Sequence, residues 1–589
     1  MAHIISRIQI ENYKSIKHQN FELARFTPLV GYNNAGKSNI LQGIKWILRK
    51  TSLGASCFND PSQPVVMIAT IQGITEEILN NIEDAHKARI EPFLDNGTLT
   101  IKRVQDTPSQ SVGSIRLFVL DPQDNSTWQS NPAGIDNAIK DLFPEPIHIG
   151  AMENSEEDVT KSSTSSTIGK LLGEMIEPIE LAYGDQVNVA LGGLKNLLDA
   201  EGENRAPELQ QFDEDVNVKL DAFFPDIKLK VHIPTPELKE VFKKGTIKVY
   251  ENNLANYKDV GTLGHGAQRS IQMALIRHLA DLKLANNQNL TTTLLLIDEP
   301  ELYLHPQGIE ILRQALKILA DQGYQVIFTT HSPFMITSKD VSNTILVRKS
   351  DIVGTHSRQS LKLAIPAIEA EAPHQITLLY SLSNSSNILF SERIVLAEGK
   401  TENKLLPSLI EHVTGRTLLN HKSALVEMSG SGNTRKAMRV LEVMDLPTKA
   451  LVDLDFALKN GIEEGYLMMG DVDVQACKDH LQNIFQQHNM LLGPDGWPQK
   501  NQHLSAADGF AILANEATLT VHINSIFNKM KAHRIWVWKK GTIEKHLNLT
   551  GKKEALWAQF LNDLDNSDLQ TLLPDDYVEI QNCINWLLD

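Results

Sequence analysis

The chain has 589 residues, 42% of them hydrophobic and 22% charged, with a formal net charge of −16. That length allows roughly three or four domains of ordinary soluble composition, and the acidic balance argues against broad electrostatic attraction to nucleic acid, leaving local basic grooves or metal-screened sites for such a partner. Three scattered cysteines (Cys57, Cys477, Cys583) argue against a disulfide framework or a cysteine zinc site, and the lack of any apolar run near the ~18–20 residues that cross a bilayer, or of a signal-peptide core in Met1–Arg7, predicts a cytoplasmic protein with no membrane partner.

Short strand-like runs open the chain at Ile8–Ile10 and at 27–31. The second leads into Gly31-Tyr32-Asn33-Asn34-Ala35-Gly36-Lys37-Ser38, ahead of a helix over 38–48. Strand, Gly-rich turn and helix together aim backbone N–H groups and a helix N-terminus at an anion. Gly31 and Gly36 let the backbone close round phosphates, Lys37 reaches the β- and γ-phosphates of ATP, and Ser38 places its hydroxyl on Mg²⁺. Asn33, Asn34 and Asn39 complete the ATP-contacting run. Strands follow at Val65–Ile71 and Ile115–Val119. The acidic, Ser/Thr-rich stretch Glu153–Thr167 then precedes a helix that carries Ile168, Leu171, Leu172, Met175, Ile176 and Ile179 at helical spacing. Helical material continues to about Phe224, and strict alternation over Ile227–Ile233 predicts a half-exposed strand. Residues 155–225 read as a helical insertion whose apolar stripe is covered by its own domain or by a second copy of the chain.

Alternating strand and helix returns over 261–350. Leu263-Gly264-His265-Gly266-Ala267-Gln268-Arg269 precedes a helix at Ser270–Leu282. Thr293–Pro300 is an apolar strand ending in Asp298 and Glu299, and Gln325–Ser332 is a second one ending at His331. Wholly apolar strands suit a parallel sheet covered on both faces. Downstream of a phosphate loop, such an Asp298 holds Mg²⁺ and Glu299 polarises the attacking water. The order of loop, glycine-rich run, carboxylate strand and histidine resembles ABC-type ATPases of the SMC and RecF kind. The resemblance implies that Gly264, Gly266 and Gln268 form the signature, although Gly264 stands where serine is usual. It also implies that Glu301–Pro306 crosses between paired heads and that His331 senses the γ-phosphate. ATP is then held between two heads of a homodimer. The glutamine-bearing loop stays unassigned between Gln63 and Gln72.

Residues 351–392 read as a connector, Ser/Asn-rich near 381–387, and a new α/β segment runs from Arg393 to about residue 550. Ile394–Glu402 is a strand, a tight glycine turn and a helix start; Ala450–Asp455 ends a strand in Asp-x-Asp. Residues two apart on a strand share a face, so Asp453 and Asp455 converge and Glu398 joins them from a neighbouring strand end. Gathered carboxylates repel one another unless cations lie between them, and hard oxygen ligands suit Mg²⁺ or Mn²⁺. Two such ions activate water and stabilise the leaving oxygen in phosphodiester cleavage. Glu-Gly-x-Thr-Glu followed by Asp-x-Asp resembles the Toprim domain, which adds Glu402 to the metal set. Between Lys539 and Lys540, Lys540 is favoured to stabilise charge on the phosphate. Glu544 either supports a metal or opens a helix, and Ser505, Asp508 and Glu516 are unassigned.

An ABC ATPase with a helical insertion, followed by a Toprim domain, resembles the OLD (overcoming lysogenization defect) family of nucleases, linked to phage exclusion and antiviral defence. The expected fold class is α/β. An ABC-type ATPase head occupies 1–154 and 226–380, a helical insertion for dimerisation 155–225 and a connector 381–392. A Toprim (Rossmann-like) domain covers 393–550 and a C-terminal helical segment 551–589. The resemblance implies a homodimer that cuts DNA with a divalent metal, as an endonuclease or exonuclease, under control of ATP state. Two rivals stay open: a DNA-repair ATPase whose Toprim domain binds nucleic acid without cutting, and a topoisomerase-like enzyme. The scarcity of tyrosine after residue 400 opposes the latter.

Overall fold

The computed structural model describes residues 3–150, 167–235, 240, 247–250, 257–286, 292–358 and 385–589, apart from 125, 131, 144, 145, 225, 338, 429–431 and 433. Side chains within 167–178 also fall outside the described residues, as do most of the stretch 153–167 and residues 381–384 of the connector. The chain divides into two compact units. One comprises Met1–Leu29, Asn34–Met335 and Lys349–His356; the other comprises Val30–Asn33, Ile336–Arg348 and Ser357–Asp589.

The first unit is built on two kinds of strand. β1 (Ile4–Tyr13), β2 (Ile16–Glu22), β4 (Val65–Gln72), β5 (Leu99–Gln105), β6 (Arg116–Leu120) and β7 (Trp128–Ser130) pair antiparallel in the order β7-β6-β5-β4-β1-β2. β4 shows why: Val65, Met67, Ala69 and Ile71 alternate inward, so one face is buried and the other partly solvated. β3 (Phe26–Val30), β8 (Ile147–Ile149), β11 (Thr293–Ile297) and β12 (Tyr324–Thr330) adjoin in the order β3-β12-β11-β8, and β11 runs parallel to both its neighbours. β3 and β12 are buried along their whole length, the polar Thr27, Gln325, Thr329 and Thr330 included. The helix Lys37–Leu48 lays Ile40, Leu41, Ile44, Ile47 and Leu48 inward at helical spacing. A short ribbon joins β9 (Lys248–Val249) to β10 (Lys258–Asp259), β13 spans Ile345–Ser350, and β14 (Gly354–Ser357) pairs with β2.

Two expectations are corrected here. The helix expected at Ser270–Leu282 runs from His265 to Asn286, so Gly266 and Gln268 lie within its first turn and not in a preceding loop. Gln268 is buried and donates to the carbonyl of Leu263 at 2.9 Å. Ile227–Ile233 alternates as a strand would but forms none, because helix side chains take its backbone groups. Asn217 accepts from Leu229 N–H at 2.8 Å and donates to its carbonyl at 2.9 Å, a two-sided grip like that of a neighbouring strand. Asp213 accepts from Val231 N–H at 2.9 Å, and Arg205 donates to the Val231 carbonyl at 2.8 Å and to Asp213 at 2.7 Å. The helices Thr167–Leu198 and Pro207–Asp221 leave Leu181, Val189 and Val218 exposed.

The second unit carries a four-stranded parallel sheet, β16-β15-β17-β20, formed by β15 (Arg393–Ala397), β16 (Ser423–Glu427), β17 (Thr448–Asp453) and β20 (Ile535–Trp538). A minor hairpin pairs β18 (Leu491–Leu492) with β19 (Pro498–Gln499). Helices Lys400–Thr414 and Thr434–Val443 make the crossovers, and residues 551–589 add Trp557, Phe560, Ile580, Ile584 and Leu587 to the same apolar core. Among the described residues, no helix is long and apolar enough to cross a membrane.

Buried polar pairing in the first unit can be measured directly. Gln325 is fully buried in β12; its amide accepts from Ile5 N–H at 2.9 Å and donates to the Ile5 carbonyl at 2.7 Å. Gln325→Leu strands both backbone groups at a cost of roughly 2–4 kcal/mol. Thermal unfolding should show the first unit melting several degrees lower while the second is unchanged.

Candidate active sites

In the first unit, the phosphate-loop lysine is the buried start of its helix. Gly36, its N-cap, has φ 99°, and a Cβ there would fall 2.2 Å from Thr355 Oγ1. Thr355 donates to the Ala35 carbonyl at 2.8 Å and lies 2.7 Å from the Ser15 hydroxyl, which in turn accepts from Asn39 at 2.8 Å. Only glycine combines that backbone with that clearance, so the loop is held shut behind the phosphate-facing side.

Lys37 Nζ lies 2.8 Å from His331 Nε2, and His331 Nε2 lies 3.3 Å from Glu299 Oε1. Loop, histidine and carboxylate thus meet in one place. The His331 contact holds the Glu299 carboxyl below its ordinary range, with Lys37 and Arg269 adding to the effect, so the anionic form of Glu299 is favoured. Glu299 has φ 48°, a left-handed conformation for a residue with a Cβ. Buried Arg269 fixes that turn by donating to the carbonyls of Asp298 at 3.1 Å and Glu299 at 2.9 Å. Thr329 donates to Asp298 and accepts from Glu299 N–H at 2.9 Å. Glu301 accepts from the Thr330 hydroxyl and from His331 N–H, both at 2.7 Å, and burial pushes its carboxyl up. Ser38 stands in the first turn of the loop helix, and Asn33 and Asn34 stand in the loop, Asn34 at φ 65°. Gly31 opens that loop, and Gly264 immediately precedes the helix His265–Asn286.

In the second unit the acids gather at the carboxyl ends of the parallel strands, where ligand sites of such sheets lie. Oxygens of Glu398, Asp453 and Asp455 all lie within 4.8 Å of one another. Their convergence has a different cause from the one expected. Asp453 ends β17, but Asp455 sits in the first turn of the helix Leu454–Glu463, so a strand-to-helix turn, and not the pleat, brings them together. Asp453 N–H donates to Glu398 Oε2 at 2.8 Å. Burial, then Glu398 and Glu402, lift the Asp453 carboxyl well above its usual range. Glu402 lies beside the trio on the first turn of Lys400–Thr414; burial, with Glu544 and Glu398, pushes it up to about 8. Glu544 is buried too and accepts from Thr401. Gly541, at φ 105°, makes the turn that delivers it; a Cβ there would lie 3.1 Å from Ala511 Cα.

The residues fit a divalent cation by their own chemistry. Asp453 Oδ1 and Glu544 Oε2 are buried with no hydrogen-bond partner among the described residues, and the set is all hard oxygen. Lys540 is turned away from it: its Nζ pairs with buried Asp576 at 2.6 Å, its N–H donates to His546 at 3.1 Å, and Lys539 pairs with Glu579 at 3.1 Å. The amine that faces the acids is Lys552, 3.5 Å from Asp453 and 3.8 Å from Glu544; those acids raise its ammonium above the lysine range although burial opposes them. Asp508 pairs with Lys545 at 3.0 Å, Ser505 caps its helix, and Glu516 lies 3.2 Å from His480, so none of these joins the cluster. Sequence reasoning missed Lys552, which sits in a polar turn without a motif, and the positioning roles of Arg269 and Glu301.

Comparison with known proteins bears on both sites. The model of the AAA ATPase domain matches residues 4–92 and 125–336, and that of the overcoming lysogenization defect protein-like TOPRIM domain matches residues 389–455. The Old nuclease of Escherichia phage P2 is 36% identical over 99% of this chain and 99% of its own length. Endonuclease GajA of Bacillus cereus (strain VD045) is 23% identical over 72% of this chain and 71% of its own. The OLD nuclease of Thermus scotoductus is 20% identical over 77% and 82%. ATPase and Toprim domains on one chain, in a match to a phage nuclease over 99% of both chains, make it an ATPase and a nuclease: the chain belongs to the OLD (overcoming lysogenization defect) family.

Proposed function

We propose that Glu398, Asp453 and Asp455, with Glu402 and Glu544 beside them, bind Mg²⁺ or Mn²⁺ and cut the phosphodiester backbone of DNA. A divalent ion bound there supplies Lewis acidity and an activated water. The observation that carries this reading is the convergence of three carboxylates within 4.8 Å, including a buried Asp453 oxygen without a partner. Lys552 stabilises negative charge on the phosphate under attack, the role first given to Lys540. At the other site Lys37, Ser38 and the N–H groups of the loop bind the phosphates of ATP, with Asn33, Asn34 and Asn39 alongside. Asp298 and Ser38 hold Mg²⁺, Glu299 takes the proton of the attacking water, and His331 reads the γ-phosphate.

The same proposal includes a homodimer, its signature residues Gly264, Gly266 and Gln268 completing the ATP site of the second copy. The exposed apolar residues of Thr167–Leu198 and Pro207–Asp221 support joining the copies there. It divides the chain at the expected positions: ATPase head 1–154 and 226–380, insertion 155–225, connector 381–392, Toprim domain 393–550 and C-terminal segment 551–589. The reading also includes a cytoplasmic location and a role in phage exclusion or antiviral defence, the latter consistent with the relatives' names.

Circular and linear DNA incubated with Mg²⁺ or Mn²⁺ tests the assignment. Asp453→Ala should abolish cleavage and leave ATP turnover intact, and Lys37→Ala should abolish ATP turnover. Lys552→Ala should slow cleavage about 10²-fold, whereas Lys540→Ala should lower stability with little effect on cleavage per folded molecule. Intact DNA with the wild-type protein under every metal condition would refute the nuclease assignment.

The raised carboxyls predict a pH dependence of the metal-free protein. A carboxyl that titrates higher folded than unfolded binds protons preferentially in the folded state, so its stabilisation is present at low pH and lost as pH rises. With Glu402 at about 8 and Asp453 raised, the second unit should melt at progressively lower temperature from about pH 5 to about pH 9 in chelator. Mn²⁺ should flatten that slope. A melting temperature independent of pH in chelator would contradict the burial of these acids.

A further inference from the structure

The sheet of the second unit has a second charged end. Its acids stand where β15 and β17 finish. A cavity of about 1200 Å³ opens where the strands begin, bordered by Arg393 of β15, Lys449 of β17 and Arg534 just before β20. Strands of this length separate the two places by about 15 Å, and nothing in the cleavage chemistry explains the cavity.

Helix Thr434–Val443 adds Arg435, Lys436 and Arg439 to its wall, so six cationic side chains border one cavity in a chain of net charge −16. The acids of the lining engage part of that set. Glu442 lies 3.2 Å from Arg439, and Glu464 accepts from Arg435 N–H at 3.2 Å; Asp445 and Asp589 complete the acidic lining. The guanidinium of Arg393 and the ammonium of Lys449 donate to the neutral carbonyls of Leu588 and Trp586, and Asp589 offsets part of the Lys449 charge. Lys436 and Arg534 are both exposed at the cavity, and Lys436 acts on the Glu464 carboxyl through space. Burial, with Arg393, Arg534 and Lys531 nearby, lowers the Lys449 ammonium despite the pull of Asp589. Crowded cations of this kind are relieved by a bound anion. The cavity also has an aromatic side: the rings of Tyr466 and His533 lie 5.5 Å apart at 56°. Flat rings beside cations suit a base beside its phosphates.

We propose that this cavity is a second nucleotide site, with Lys436, Lys449 and Arg534 on the phosphates and Tyr466 and His533 on the base. The same chemistry arrives as a free nucleoside triphosphate or as the single-stranded end of a nucleic acid. The site stands apart from the cleavage reading, since none of its residues touches the carboxylate cluster.

Fluorescence anisotropy on the full chain separates the sources. The parent carries Lys37→Ala to weaken nucleotide binding at the phosphate loop, and chelator keeps metal from the acids. The probes are labelled dTTP and a labelled hexathymidylate with a 5′ phosphate. Lys436→Glu with Arg534→Glu should weaken one or both probes at least about tenfold, and Lys436→Arg with Arg534→Lys should retain binding. Loss for dTTP alone identifies the free nucleotide, and loss for the oligonucleotide identifies a strand end. Equal affinities in parent and charge-reversed protein, no binding to the parent, or equal loss in the charge-conserving variant would each overturn the site.

Discussion

Confinement of like charge governs the second unit. Asp453, Glu402 and Glu544 are buried, and Glu398 and Asp455 stand against them. Removing carboxylates from water is expensive, and crowding them raises the cost, so such a cluster persists only if the backbone holds it and something offsets its charge. The backbone does so at several points: the β17 strand end, the helix turn after it, the Asp453 N–H on Glu398, and the Thr401 hydroxyl on Glu544. Lys552 offsets part of the charge, and protons on Asp453 and Glu402 offset more when no metal is bound. On the proposed reading, a divalent cation bound there would replace those protons.

The ATPase site follows the same construction at lower charge. Parallel strands β11 and β12 end side by side, and just beyond them Glu299 and His331 meet Lys37. Glu299 reaches its position through a left-handed turn that Arg269 grips by two carbonyls, and His331 is held through its own N–H by Glu301. Arg269 lies on the helix His265–Asn286. Movement of that helix therefore bears directly on the turn that carries Glu299.

Local patterns were legible in the sequence, and returns of the chain were not. The phosphate loop and the strand-end Asp298, Glu299 and His331 are contiguous motifs whose geometry follows from strand, turn and helix. Glu398, Asp453 and Asp455 were legible as a set, yet the pleat argument for the last two misplaced Asp455, because the strand stops at Asp453. Which lysine faces the acids depends on where a polar turn after Leu549 comes back, and periodicity carries no such information; Lys540 was instead claimed by buried Asp576 on the final segment. Alternation over Ile227–Ile233 misled for a related reason. Side chains of the preceding helix satisfied that backbone, a tertiary choice that no local pattern encodes.

The most direct test of the account is to locate manganese by anomalous scattering in crystals of the wild-type chain and of Asp453→Asn. The account predicts strong peaks between Glu398, Asp453 and Asp455 in the wild type, lost or displaced in the variant. An ordered cluster with no peak at saturating manganese, its carboxylates splayed apart, would contradict it.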